Sequence, residues 1–186
     1  MNIFFAGRLV GFKDPLTFVK AARLLSQNTN ELAHQFVIAG DGELLEECRR
    51  LASGYKNISI LGWVEPEEVD ELMSQADTFC QLSPQENLWA STLICAMNHR
   101  KAVICTDVGY TGRYLKHKHH VFMIPPNNPT ALAEAITVLA NDDQMRQTLG
   151  ENAYAFVQEN LSLEKITNQI RQLLIQSLQT QKASGN

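Results

Sequence analysis

No apolar stretch in the sequence is long enough to cross a bilayer, and no charged leader with a short apolar core marks a signal peptide. Cytoplasmic residence is the expectation that follows. Basic charge is scarce: 16 Lys and Arg face 20 Asp and Glu, for a net charge of −4. A nucleic-acid module would carry the opposite sign, so no nucleic-acid partner is expected. An anionic ligand would need a local basic site against that background. The 4 cysteines (Cys48, Cys80, Cys95 and Cys105) form no C-x-x-C pair. Three of them lie in apolar runs, which predicts reduced packing residues and neither disulfides nor a zinc site. The first apolar run is not followed by G-x-G-x-x-G, which argues against a dinucleotide-binding domain. Internal repeats and a clear linker are also missing.

What is present is a regular alternation. With 186 residues and 45% hydrophobic content, the chain can bury one core. Short apolar runs at 2–6, 36–39, 58–61, 78–82, 102–106 and 121–124 read as buried strands. Helical spacing fills the intervals. One helix is expected from Pro15, capped by Asp14, to about Gln27. Others are expected at 44–52 after the Gly40–Glu43 turn, from Pro66 onward, and at about 90–98. The segment 109–112 reads as a turn. Three closing helices follow, from Pro129, from 142 to 158, and from 162 to about 179. One domain over 1–180 with a polar tail at 181–186 is the expected organisation.

This order predicts an α/β, Rossmann-like three-layer domain. Its mainly parallel sheet of about six strands is covered by helices on both faces. In such sheets ligands bind outside the carboxyl ends of the strands. The loops there carry Arg8 and Lys13, Gly40-Asp41-Gly42, Gly62-Trp63, residues 83–89 and residues 107–112. They are expected to converge on one rim. The stretch 83–97 is the centre of that rim, because a polar loop with Glu86 and Asn87 feeds a helix N-terminus at Ala90, Ser91 and Thr92.

Several motifs, in order, give the chain a resemblance. Gly7-Arg8-Leu9 followed by Lys13, the strand ending in Gly40-Asp41-Gly42, and Leu61-Gly62 before a helix are the first. Ala76-Asp77 before a strand ending in Ser83-Pro84, Ala96-Met97, and Thr106-Asp107 with Gly109 come next. The helix from Pro129 to Ile136 closes the set. Together they resemble the C-terminal, donor-binding half of GT-B glycosyltransferases, within the retaining group 1 family that includes glycogen and sucrose synthases. The resemblance implies that Arg8 and Lys13 meet the diphosphate of a nucleotide-sugar and stabilise the departing nucleoside diphosphate. The helix N-terminus near Ala90–Thr92 would add backbone N–H groups. Thr92 matches a hydroxyl of the family, or else bonds its own backbone. Gly7, Gly40, Asp41, Gly42, Gly62 and Trp63 fall in the implied substrate-binding loops, with Trp63 read first as a packing residue.

The family's pair of glutamates, seven residues apart, is not reproduced. Aligned on Ala96-Met97, the pair falls on Asn87 and Cys95; aligned on Glu86, the second falls on Ile94. A cysteine cannot accept two ribose hydroxyls as a carboxylate does. Cys95 is read as a buried helix-face residue, and Glu86 either takes the first role or is a solvated loop acid. Leu88-Trp89-Ala90 replaces small residues of the signature loop. The basic run Lys116, His117, Lys118, His119 and His120 is read as a solvated loop, not a metal site.

Two functions compete on these residues. One is the donor domain of a retaining glycosyltransferase, acting on an acceptor held by an N-terminal GT-B half that the sequence does not contain. Such a domain needs no cofactor, would be inactive alone, and would meet a membrane only through that other half. The other is a degenerate domain that binds a nucleotide or a protein partner without catalysis. The strand beginning at the second residue suggests a fragment or a lone half, and the last helix is expected to expose an apolar patch.

Overall fold

The computed structural model describes residues 1–27, 34–85, 90–109, 111–162, 165, 167–168 and 170–176. Its chain forms two compact units, residues 1–154 and 155–186. In the first unit six strands build one sheet: β1 (Asn2–Ala6), β2 (Gln35–Ala39), β3 (Ile58–Gly62), β4 (Thr78–Gln81), β5 (Ala102–Thr106) and β6 (Phe122–Ile124). The spatial order is β3-β2-β1-β4-β5-β6, and every pairing is parallel. The expected architecture is therefore present, with strand bounds displaced by one residue at most.

Parallel strands need crossovers, and helices supply them. They are α1 (Pro15–Gln27), α2 (Leu45–Ala52), α3 (Pro66–Gln75), α4 (Ser91–Asn98), the short α5 (Thr111–Tyr114), α6 (Pro129–Ala140) and α7 (Asp143–Leu161). Proline opens α1, α3 and α6, where its missing N–H costs nothing. The Thr17 N–H donates to Asp14 Oδ1 at 3.2 Å, the cap expected of Asp14. Asn128 caps α6 through the Ala131 N–H at 2.9 Å. The expected turn at 109–112 is in part a helix, since α5 begins at Thr111. Its single turn is held by the Leu115 N–H donating to Thr111 O at 2.9 Å.

Helices α1, α2 and α6 lie together on one side of the sheet, and α3 and α4 on the other. Alternation along each strand sorts the core between them. Ile3 and Phe5 join Phe18 of α1, with the Phe5 and Phe18 rings 5.7 Å apart. Phe4 points the other way and meets Phe79 edge-on at 6.0 Å. Both β1 faces are buried, which is why this strand reads as an unbroken apolar run.

Between β1 and β4 the winding reverses. Strand β1 leads outward through β2 to β3, while β4 leads through β5 to β6 in the opposite direction. Loops leaving the two central strands part at this point and leave a crevice.

In the second unit, the described residues after Leu161 are helical at 165, 167–168 and 170–176. Ile170, Leu173, Leu174 and Ile175 are 53%, 65%, 61% and 49% exposed, which is the apolar exposure expected of the last helix.

Gly150 marks how α7 meets the turn after α4. A β-carbon there would lie 2.0 Å from the carbonyl oxygen of Arg100. Arg100 itself sits at φ 53°, pairs with Glu151 at 3.1 Å and stacks over the Tyr154 ring at 4.0 Å. Alanine normally stabilises a helix interior over glycine by about 1 kcal/mol. Here Gly150→Ala is expected to have the opposite sign and to destabilise by about 1–3 kcal/mol, because backbone must move. Urea unfolding midpoints of the two proteins check this; an equal or higher midpoint for the variant would refute the packing described.

Candidate functional site

The loops that leave β1, β2 and β3 are joined by their own backbones. The Gly7 N–H donates to Ala39 O at 3.0 Å, the Leu9 N–H to Asp41 O at 2.8 Å, and the Gly40 N–H to Gly62 O at 2.7 Å. The Leu44 N–H returns to Leu9 O at 2.9 Å. Such bonds continue the ladder beyond the strands. They bring the chains so close that a β-carbon on Gly40, at φ 146°, would sit 1.9 Å from Gly7 O. One on Gly42 would sit 2.6 Å from Leu9 O. The Asp41 side chain accepts from the Gly42 N–H at 2.7 Å and so holds the turn it belongs to.

Above this floor opens a cavity of about 450 Å³. Its lining includes Gly7 and Arg8 from the first loop, Gly40 and Asp41 from the second, Trp63 from the third, and Ser91, Thr92 and Cys95 from α4. Eight of the expected site residues therefore meet in one place. Among the described residues, none from the loop after β5 lines the cavity.

The cations stand at the entrance to α1. The guanidinium of Arg8 lies 4.8 Å from the Phe12 ring centroid, and Lys13 Nζ lies 5.5 Å from the same centroid. Burial, and then the neighbouring Arg8 charge, lower the Lys13 pKa. Two like charges beside one ring favour an anion between them. Lys13 does not line the cavity itself, and neither do Gly42, Gly62 and Ala90. Gly42 and Gly62 shape loops, with Gly62 at φ 79°, and Ala90 is the residue before α4. Ala90, the residue before α4, has no polar side chain to cap it, so among the described residues no side-chain cap is seen at the cavity end of that helix.

Three expectations need correction. Trp63 is not a packing residue: it is 69% exposed at the cavity. Cys95 is not a buried helix-face residue but half-buried on the cavity wall, unlike Cys48, Cys80 and Cys105. Of the two readings of Thr92, the bond to its own backbone gives way to one with Gln81, whose Oε1 accepts from the Thr92 hydroxyl at 3.2 Å. That bond ties the start of α4 to the end of β4. Glu86 and Asn87 lie outside the described residues, as do Leu88, Trp89 and Tyr110. Lys116–His119 are exposed, as a solvated loop requires, and His117 Nδ1 accepts from the Met123 N–H at 2.9 Å.

Sequence reasoning missed part of the wall. Val64, Pro66 and Val69 line the cavity, although Val69 reads by spacing as core. Neither Asp70 nor His99 drew notice, yet both meet Cys95. His99 Nε2 lies 2.7 Å from Asp70 Oδ1, and Cys95 Sγ donates to that oxygen at 3.7 Å. The hydrogen bond from His99 lowers the Asp70 pKa. Burial, then the Asp70 charge, raises that of Cys95.

A family model described as "Glycosyl transferases group 1" matches residues 2–156. A curated relative from Campylobacter jejuni, an α-1,4-N-acetyl-D-galactosaminyltransferase acting on an undecaprenol-linked acceptor, is 30% identical over 154 residues. That is 81% of this chain and 42% of the relative. The α-D-kanosaminyltransferase of Streptomyces kanamyceticus is 25% identical over 171 residues, 90% of this chain and 44% of its own. The chain thus spans less than half the length of these curated relatives. Among solved structures, Anabaena HepE in complex with UDP-glucose superposes with a TM-score of 0.80 at 21% identity, covering 94% of this chain and 48% of that one. The C-terminal domain of a group 1 family protein (LpcC) from Francisella tularensis gives 0.77 at 19% identity, covering 87% of this chain and 86% of that one.

The four cysteines offer a direct check of the wall. A small thiol reagent is expected to label one thiol in the folded protein and all 4 in denaturant. Cys95→Ser should abolish the native labelling. Because the Cys95 pKa is raised, its rate should keep climbing with pH beyond the ordinary thiol value of about 8.5. Asp70→Asn removes the charge that favours the neutral thiol and should speed labelling at neutral pH. A native titre unchanged by Cys95→Ser would refute this placement.

Proposed function

The chain belongs to the group 1 glycosyl transferases, and on that premise we propose that it is the donor-binding domain of a retaining glycosyltransferase. The observation that carries this reading is the cavity at the winding reversal, where Arg8, the glycine-built floor and the start of α4 meet. In this reading a nucleoside diphosphate-sugar lies with its diphosphate against Arg8, Lys13 and the first N–H groups of α4. The exposed Trp63 ring covers the nucleoside. That the similar HepE structure holds UDP-glucose supports a sugar nucleotide as the ligand class.

The chemistry follows from where charge grows. As the glycosidic bond to phosphate breaks, negative charge accumulates on the leaving diphosphate. Arg8 and Lys13, already in place, meet that charge without reorganising. The Lys13 proton is held less tightly than in water, and an adjacent anion restores its affinity. The acceptor belongs to a second, N-terminal domain outside this sequence, and the chain alone turns over no substrate.

A second reading rests on Cys95. The cavity wall holds a thiol where the family resemblance implies a carboxylate for the ribose hydroxyls. A domain built this way binds nucleotide, or a protein partner, without supporting transfer.

Calorimetric titration with UDP-, GDP- and ADP-sugars tests the site. One of them should bind, and Arg8→Ala and Lys13→Ala should each weaken it by about 10–100-fold, the worth of a charge-assisted hydrogen bond. Trp63→Ala should cost about tenfold, as lost stacking does. Absence of binding at millimolar ligand, or binding indifferent to both cation variants, would overturn the assignment. Cys95→Glu tests where the nucleoside lies: restored ribose contacts should tighten binding only if it lies along α4.

A further inference from the structure

Three side chains of metal-ligating chemistry meet where α3 faces α4. Cys95 and His99 are four residues apart and so share one face of α4 and the residue that ends it. Asp70 reaches them from α3. Its Oδ1 lies 2.7 Å from His99 Nε2 and 3.7 Å from Cys95 Sγ, and the three ligand atoms lie within 4.8 Å of one another. We propose that Asp70, Cys95 and His99 form a binding site for one thiolate-seeking divalent ion of the zinc type. The proposal goes beyond the donor-binding reading and does not depend on it.

The dimensions fit. A tetrahedral zinc bound by oxygen, nitrogen and sulfur has ligand-to-ligand edges of about 3.3–3.6 Å. The Asp70–Cys95 edge, at 3.7 Å, is near that length, and the Cys95–His99 separation, within 4.8 Å, closes on the ion. The Asp70–His99 edge needs to open by about 0.6 Å, as a metal replaces the proton between the two groups. A carboxylate and a thiolate supply two negative charges, which balance the ion. Thiol and imidazole donors select zinc, cobalt or copper over magnesium and calcium. Helix α3 carries Glu67, Glu68, Asp70 and Glu71 and no basic residue, and Lys101, which follows α4, donates from Nζ to the Ser74 carbonyl of α3 at 2.7 Å.

Ion binding would expel the Cys95 proton, which burial and the Asp70 charge otherwise retain. It would also place a cation on the wall of the cavity that Cys95 lines. Spacing along the chain conceals the site, because Asp70 is 25 residues from Cys95.

The test uses the full chain, reduced and stripped of metal. Cobalt(II) is titrated in and the thiolate-to-cobalt absorption followed, and zinc(II) binding is then measured by competition with a chromophoric chelator. One equivalent of each ion should bind, with a thiolate band. Cys95→Ser should abolish the band. Each of Cys95→Ser, His99→Ala and Asp70→Asn should weaken zinc by more than the roughly 10–100-fold that loss of a mere outer partner costs. His119→Ala with His120→Ala should leave the affinity unchanged. Circular dichroism confirms that each variant is folded. Absence of a thiolate band, zinc affinity unchanged by Cys95→Ser, or binding lost in the His119/His120 variant would each overturn the proposal.

Discussion

The close approach of backbone to backbone under the cavity is the constraint on which the site depends. Gly40 lies against the carbonyl of Gly7, and Gly42 against that of Leu9, at separations that leave no room for a side chain. This lets the ladder of β1 and β2 run on past the sheet and sets the loops at fixed heights. A floor made of main chain does not change with rotamers. Arg8, Trp63 and the start of α4 are mounted around it. The two glycines of Gly40-Asp41-Gly42 therefore answer to geometry, and Asp41 answers to the turn it stabilises.

The fold was legible because each local signal agreed with the global one. The apolar runs of β1 and β5 are unbroken since both faces of those strands are covered. Pro15, Pro66 and Pro129 stand at helix starts, and Asp14 caps as its position requires. These are short-range effects, and sequence carries them directly. The turn at 109–112 failed the test because one turn of helix, held by Thr111 and Leu115, leaves no periodicity to read.

The site was legible in outline and misread in its side chains. Parallel order alone brings the loops after β1, β2 and β3 to one end, so Arg8, Gly40 and Trp63 were placed together correctly. Which way a side chain faces is a tertiary matter. Trp63 has the composition of a core residue and the exposure of a rim residue. Val69 follows the apolar spacing of α3 but faces the cavity. Cys95 sits in an apolar run, yet the meeting of α3 and α4 puts it beside Asp70 and His99, a neighbourhood created only by folding.

The pair Arg8 and Lys13 has one more effect. Holding two cations against one phenylalanine ring, with one of them partly out of water, sets the folded state at an electrostatic disadvantage. Any anion that settles between them removes that disadvantage and binds only the folded form. Ligand and fold are then linked by mass action, and occupancy at a hundred times the dissociation constant adds about 2.7 kcal/mol to the unfolding free energy. On the proposed reading, a domain filled with such an anion is in this sense a sturdier molecule than an empty one.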